Sequence, residues 1–525
     1  MPPIRRLPRW ARVIAFFACA TLFVATWGWW RTPPRPEKLP PSPTKEATLS
    51  DAEAVALLGH PTFRDAWEHE RQLPQHSVPS RVKGPSPRYL RLPHASWGSG
   101  WNNVFQEQLL NAHLAQLSDR AYVFPAYIPR DHVPFPDTLP NGTRHMLHVP
   151  MNAFVAGPIA GGGDGSMPLS RRGVSDAWWE TVCLRKNVKV LNVYDEQRRF
   201  GYDTEHAPVV EVMVRWAEKL RTMQDSCVSL EETSVFNYVL AGSRGVLSVW
   251  PAYGASALLS QFAWSPLVAS AIFHNFNIIV PPSTPIPTYL RPLSTEFQSI
   301  TTSNPYTLFA PLNVRVPPIS GLLGIHVRRG DYAGHCNFLA DINASYNAWA
   351  NFGEPEIIVN SDRNARKWLA DGEAVTASAE WPRIADYRTL PANANKTETR
   401  DALFRHCYPD IDTIVAKAAR VRSESPRQLR SIYIATNGEQ GFVANLIDAL
   451  RSDGWAHAAS SLDLDLYLGG LERGKEVRAV SQAVDMGVLS VLADEFIGVG
   501  FSSLTSNVVQ IRLGAGRNGT EIHFW

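Results

Sequence analysis

The string GLLGIHVRRGDY, Gly321 to Tyr332, constrains this chain more than any other segment. Leu322, Leu323 and Ile325 make an apolar run that ends in His326, Val327, Arg328, Arg329, Gly330 and Asp331. A short apolar run bounded by turn residues predicts a buried strand. Its carboxyl end then delivers an imidazole and two guanidiniums to a loop. Open α/β sheets bind ligands outside the carboxyl ends of their strands. Planar guanidiniums suit bidentate recognition of phosphate. The segment therefore predicts an α/β fold with an anionic, phosphate-bearing ligand at this strand end.

The flanking chain continues the same alternation. Strands are predicted at Tyr89–Leu92, Ala121–Phe124, Val188–Val193 and Ile278–Val280, and helices at Asn102–Ser118 and Val209–Met223. Gly157 to Pro168 is glycine-rich but lacks the Gly-Lys-Ser/Thr ending of a P-loop, so it reads as a flexible loop. Pro281 to Pro318 is proline-rich and reads as a crossing between two domains. Beyond it, Ser431–Thr436 predicts a second strand, ending at Asn437, Gly438 and Glu439. Val477, Val480, Val484, Val488 and Val491 recur at helical spacing beside Asp485. Glu495–Gly498 predicts a third strand, and Gly500 to Asn507 a loop entering a helix with Ser502 or Ser503 as its N-cap.

A chain of 525 residues exceeds one ordinary domain. Its formal charge of +2 hides an asymmetry. Arg5, Arg6, Arg9, Arg12 and Arg31 meet no acid before residue 32; without them 46 basic residues face 49 acidic ones, a net of −3. That balance excludes a nucleic-acid binder by charge. Val13 to Trp30 is apolar, follows the arginines and ends in Trp27, Trp29 and Trp30. We read it as an uncleaved single-pass anchor with a cytoplasmic N-terminus rather than a cleaved signal peptide. Residues 1–12 are then a cytoplasmic tail, 13–30 the membrane span and 31–85 a proline-rich stem and linker. Domains of 86–317 and 318–525 follow. A lumenal placement makes Asn141, Asn343, Asn395 and Asn518 possible glycosylation acceptors. It also favours pairing the four lumenal cysteines. Three connectivities exist; we expect Cys183–Cys227 and Cys336–Cys407, one bridge per domain.

Three strand ends of the second domain carry polar groups: His326–Asp331, Thr436–Glu439 and Ser502–Asn507. A helix N-terminus with hydroxyls at Ser502, Ser503 and Thr505 is an anion site. Arginines from a neighbouring strand would complete a clamp for a diphosphate without a metal. Each element alone is weak; their coincidence in one domain is what points to a site.

Taken together, GIHVRRGDY, YIATN and AVDMGVLSVLADEFIGVGFSSLTSN resemble the three peptide motifs of the GDP-fucose-dependent fucosyltransferases, which comprise α1,2-, α1,6- and protein O-fucosyltransferases. The resemblance covers residues 320–513, with Asp485 to Asn507 its most specific part. GSGWNN, Gly98 to Asn103, is similar to that family's first-domain glycine loop. The resemblance implies a GT-B fold of two Rossmann-like domains facing a cleft, with GDP-fucose held mainly by the second. It implies inversion at the fucose anomeric carbon, no metal and no cofactor, and a glycan or glycoprotein acceptor. Arg328 matches the arginine on the β-phosphate, His326 the histidine beside the nucleotide and Asp485 the acid that reads guanine. Ser502 and Ser503 match the phosphate cradle, and Asn102 an asparagine of the glycine loop. Arg329 is counted with the donor-binding residues, with pairing to Asp331 as its structural alternative. No general base is identified: Glu107 carries little weight, and Asp331 is a candidate by proximity. The family also implies a Golgi membrane protein, with the endoplasmic reticulum as the alternative.

Other readings remain. One is a different GT-B nucleotide-sugar transferase; another is a catalytically idle, membrane-anchored binding module. Asp463-Leu464-Asp465 spells the metal motif of GT-A enzymes, but it falls late in the chain in a leucine-rich run and reads as structural. His335, next to Cys336, reads as packed beside a disulfide, and Trp178-Trp179 as core filling.

Overall fold

Apolar runs that lack period-two alternation are the mark of parallel strands covered on both faces, and the chain builds two sheets from them. A computed structural model describes residues 61–76, 87–93, 100–128, 137–138, 144–145, 148–183, 187–202, 207–293, 304–353, 395–466 and 474–525. The first sheet contains β1 (Tyr89–Arg91), β2 (Ala121–Phe124), β3 (Val174–Ser175), β4 (Val188–Asn192) and β5 (Cys227–Glu231), in the order β3-β2-β1-β5-β4. The second contains β6 (Ile319–Val327), β7 (Ser431–Thr436), β8 (His457–Ser460), β9 (Ala493–Gly498) and β10 (Ile522–Phe524), in the order β8-β7-β6-β9-β10. Every pairing in both sheets is parallel. The second sheet has the doubly wound order of a nucleotide-binding half. The first exchanges its last two strands relative to that order.

Six helices matter for the site: α1 (Trp101–Leu117), α2 (Val209–Thr222), α3 (Tyr332–Asp341), α4 (Gln440–Ser452), α5 (Gly474–Gly487) and α6 (Ser503–Gly514). The apolar stripe expected on α1 understates its burial. Asn102, Gln106, Glu107, Gln108, Asn111 and His113 are buried as well, because α1 packs on the first sheet and also against α6. A helix enclosed on all sides loses its polar face. Several polar side chains between α1 and α6 find hydrogen-bond partners instead, although Asn111 and His113 do not. Ser506 Oγ donates to Gln106 Oε1 at 2.8 Å, Asn507 Nδ2 to the Asn102 carbonyl at 2.8 Å, and Tyr253 Oη to Gln510 Oε1 at 2.7 Å. One large apolar core runs under both sheets, and a second, small cluster around Val123, Val174 and Trp179 covers the other face of the first.

Several local expectations are corrected. Ile278–Val280 is not a strand: Phe276–Ile279 forms a helical turn, and a three-residue apolar run cannot separate the two by period. Gly157–Pro168 is not a free loop throughout, since Pro158–Ala160 make a buried 3-10 turn. The valine stripe does not stay in one α-helix; α5 ends at Gly487 and Val488–Leu492 continue as a π-helical turn. Trp178 and Trp179 do pack structurally: Trp178 stacks on His76 at 5.1 Å and Trp179 is 2% exposed.

Cys183 is bonded to Cys227, and Cys336 on α3 to Cys407 at the end of the helix Lys396–Cys407. The second bridge closes a separation of 71 residues. Replacing both Cys336 and Cys407 by Ala is expected to lower the unfolding free energy by about 2–4 kcal/mol, measurable by urea titration. Asn343, Asn395 and Asn518 are all exposed. Asn141, the tail and the anchor lie outside the described residues. Among the described residues no helix is long and apolar enough to cross a membrane.

Candidate functional site

Strand order in the second sheet reverses at β6, so a crevice opens outside the carboxyl ends of β6 and β9. A cleft of about 610 Å³ lies there, a size that suits a nucleotide-scale ligand. Each side chain reaches it from a different element, and the strand ends set the positions.

From β6, His326 is 3% exposed and borders the cleft. Its Nδ1 lies 2.9 Å from Thr505 Oγ1 on α6, and its carbonyl accepts from Trp525 Nε1 at 2.9 Å. Burial, with the Arg328 charge second, pushes this imidazole down to about 3, so it is neutral at physiological pH. Arg328 follows at the mouth. Its Cζ stands 5.1 Å from the Tyr332 ring centre and its Nη2 is 3.4 Å from Asp331 Oδ1. Asp331 is largely solvated at 80% exposure, so this pair holds Arg328 only weakly.

Arg329 does not share that role. Its side chain is buried, with Cζ 4.1 Å from the Tyr408 ring and 4.3 Å from Phe442, and it donates to the Pro409 carbonyl. It is not among the cleft-lining residues, and Asp331 pairs with Arg328 rather than with it. The physical reason is the sharp turn after β6. Asn437 Oδ1 accepts from the Arg329 N–H at 2.8 Å and Nδ2 donates to the Arg329 carbonyl at 3.1 Å. Gly330 adopts φ +66, where a Cβ would also stand 2.9 Å from Asn437 Nδ2. The turn sends the two consecutive guanidiniums to different surroundings.

From β9 the chain enters α6 through Ser502, whose Oγ caps the helix by accepting from the Leu504 N–H at 3.3 Å. Ser502, Ser503 and Leu504 border the cleft, presenting the first turn of a 12-residue helix. Those first N–H groups and the helix dipole favour an anion. At the far end of α6, the fully buried Arg512 donates to the carbonyls of Leu489, Ala493 and Asp494. That tie holds the helix axis against the start of β9.

Asp485 projects from α5 and is 8% exposed. Tyr433 Oη on β7 donates to its Oδ1 at 2.6 Å. Burial pushes its carboxyl up to about 7 while the Tyr433 bond pulls the other way. Asn102 comes from the first turn of α1. Its Nδ2 donates to Gln482 Oε1 at 2.9 Å, across from one sheet to the other.

The structure thus brings together Arg328, His326, Asp485, Ser502, Ser503 and Asn102, and it leaves out Arg329. Sequence reasoning missed Gln482 and the support that Tyr332 gives Arg328; Thr505, counted with the anion-site hydroxyls, is instead fully buried against His326 and does not border the cleft. Gln482 lies three residues before Asp485, one helical turn away, which is the spacing that could have found it. His335 was placed against the disulfide; it is exposed and borders the cleft, while Cys336 alone turns inward. Glu107 is fully buried, accepts from Ser234 Oγ and does not border the cleft. Asp463 caps its own turn, accepting from Ser460 N–H at 2.7 Å and Ser460 Oγ at 2.9 Å. It borders a separate groove beside α4 and β8. No group of three potential metal ligands occurs among the described residues.

No family model and no curated protein matches the chain. Solved structures do. A crystal structure of POFUT1 in complex with GDP-fucose is 12% identical with a TM-score of 0.45, covering 84% of this chain and 99% of that one. A second crystal form of that complex is 13% identical with a TM-score of 0.44, covering 85% and 99%. POFUT1 in complex with GDP is 12% identical with a TM-score of 0.42, covering 84% and 99%. At these scores the site's own geometry has to carry the functional reading.

Proposed function

We propose that this chain is an inverting, metal-independent fucosyltransferase that moves L-fucose from GDP-fucose to a hydroxyl of a glycan or protein. The observation that carries the reading is the convergence of Arg328, the N-terminus of α6 and Asp485 on one cleft. A diphosphate meets a guanidinium and a helix N-terminus, the two donors that neutralise it without a cation. Guanine offers two adjacent N–H donors, and a buried carboxylate between Tyr433 and the cleft is their acceptor. When the bond from fucose C1 to the phosphate oxygen breaks, its electron pair stays on GDP. Arg328 stabilises that growing charge more than it stabilises the bound donor. His326, neutral and held by Thr505, adds a dipole without competing for the phosphate. The basic and apolar N-terminal run supports an anchored placement with residues 318–525 as the donor domain and 86–317 toward the acceptor.

The test is GDP release by residues 45–525 from GDP-fucose, GDP-mannose and UDP-sugars, with chelator present. Release confined to GDP-fucose and insensitive to chelator is expected. Equal release from a UDP-sugar would move the reading to another nucleotide-sugar transferase. Loss of release with chelator would overturn metal independence.

A further inference from the structure

An inverting transfer needs a group that takes the acceptor proton, and it has to stand across fucose C1 from the leaving phosphate. This question rests on the fucosyltransferase reading above. Among the described residues that border the cleft, four carry a carboxylate or imidazole that could accept a proton. His326 is buried and committed to Thr505. Asp485 is buried with Tyr433 at the base-reading end. Asp331 pairs with Arg328, on the side the leaving diphosphate would occupy. The remaining one is His335.

His335 lies one turn into α3, three residues after Tyr332, so both share a face of that helix. The Tyr332 ring is 5.1 Å from Arg328 Cζ and 5.1 Å from the His335 ring. The guanidinium and the imidazole are therefore no farther apart than those two steps laid end to end. In inverting glycoside chemistry, the two groups flanking the anomeric carbon stand roughly 6.5–9.5 Å apart, which leaves room for the nucleophile. Tyr332 itself is not available for the task, because its Oη donates to the Phe501 carbonyl at 3.0 Å.

We propose that His335 is the general base of the transfer. The acceptor O–H gives its proton to the imidazole as its oxygen bonds to fucose C1. The C1–O bond to the β-phosphate breaks with its electron pair on GDP, held by Arg328. The groups beside His335 are Arg328 and Asp331 from the loop after β6 and Tyr332 on its own helix; Tyr238, which interacts with Tyr332, also borders the cleft. Desolvation by the surrounding cleft wall, then Arg328, hold its basicity below the ordinary histidine value although the ring keeps an exposed edge, with Asp331 opposing. The imidazole is thus a free base at neutral pH and ready to accept.

The experiment follows kcat for GDP release at saturating GDP-fucose, so that the pH dependence of donor affinity at Asp485 drops out, with water as the acceptor, against pH, on the full-length chain and its variants. Calorimetric GDP binding is the control for folding. In the wild type the rate should fall on the acid side, below pH 6.5. His335→Gln should lower kcat by about 100-fold or more, lose that acid limb and bind GDP as before. His335→Ala should recover part of its rate with added imidazole. A His335→Gln variant with the wild-type rate and acid limb would overturn the base assignment and leave the transferase reading standing. A wild type that binds GDP yet releases none from GDP-fucose would remove both.

Discussion

Arg328→Ala is expected to lower kcat for GDP release by about 10²–10³-fold while GDP still binds. The structure explains why the loss should fall on kcat. Arg328 sits at the mouth, 29% exposed, with Tyr332 beneath its plane and the solvated carboxylate of Asp331 as its ion-pair partner. An exposed pair of this kind contributes roughly 0–1 kcal/mol, so a diphosphate displaces Asp331 at little cost. On the proposed reading the ground-state donor is already held by the N–H groups of α6. The charge that appears on the departing phosphate oxygen is what the guanidinium meets. Arg328→Lys should recover little, because lysine keeps the charge but loses the planar fork and the stacking on Tyr332. Single-turnover kinetics with GDP-fucose decide the matter: a normal chemical step in Arg328→Ala would remove this residue from the mechanism.

Asp485→Asn is expected to weaken GDP about 10–150-fold, since bonds to a charged acceptor contribute about 1.5–3 kcal/mol, and to leave UDP affinity unchanged. The pH dependence follows from burial. The carboxyl of the unliganded protein titrates near about 7, well above its ordinary 3.8. Guanine N–H donors select the ionised form. GDP affinity should therefore be full above that value and decline as pH falls through it, by up to about tenfold per unit. The Asp485→Asn variant should show a flat profile. The sign for stability is opposite. A carboxyl raised in the folded state is least costly below its unfolded value and becomes a burden as pH rises toward the folded one. Asp485→Asn should accordingly raise the Tm more at pH 8 than at pH 5. Titration calorimetry and thermal melts across that range measure both; an unchanged GDP profile would dismiss Asp485 as the reader of guanine.

Much of the second sheet was legible beforehand because parallel strands announce themselves as apolar runs with polar ends. Ile319–Val327, Ser431–Thr436 and Ala493–Gly498 form where the residues suggested, and Ser502 caps α6. The first sheet was legible to the same extent, at Tyr89–Arg91, Ala121–Phe124 and Val188–Asn192. Its β3 has two residues, too few to carry a period, and Phe276–Ile279 chose a helical turn over the strand that its composition equally allowed. The polar seam on α1 was hidden because helical periodicity reports the side chains that face a core, whereas Gln106 and Asn102 are buried by partners roughly 400 positions away.

The sequence by itself determined the chemistry at the strand ends: an imidazole and guanidiniums after one strand, hydroxyls at a helix start, and a lone acid on an apolar stripe. These are local facts, set by neighbours within a few residues. Which of two adjacent arginines faces the ligand was decided only by the tertiary structure. Asn437, from a different strand end, bonds both the N–H and the carbonyl of Arg329 and so sets the turn at Gly330. Tyr408 and Phe442 then enclose one guanidinium, and Tyr332 supports the other. The same fold turns Cys336 inward to Cys407 and leaves His335 facing the cleft. Side-chain direction at a strand end depends on contacts between elements far apart in the chain, and no local pattern encodes it.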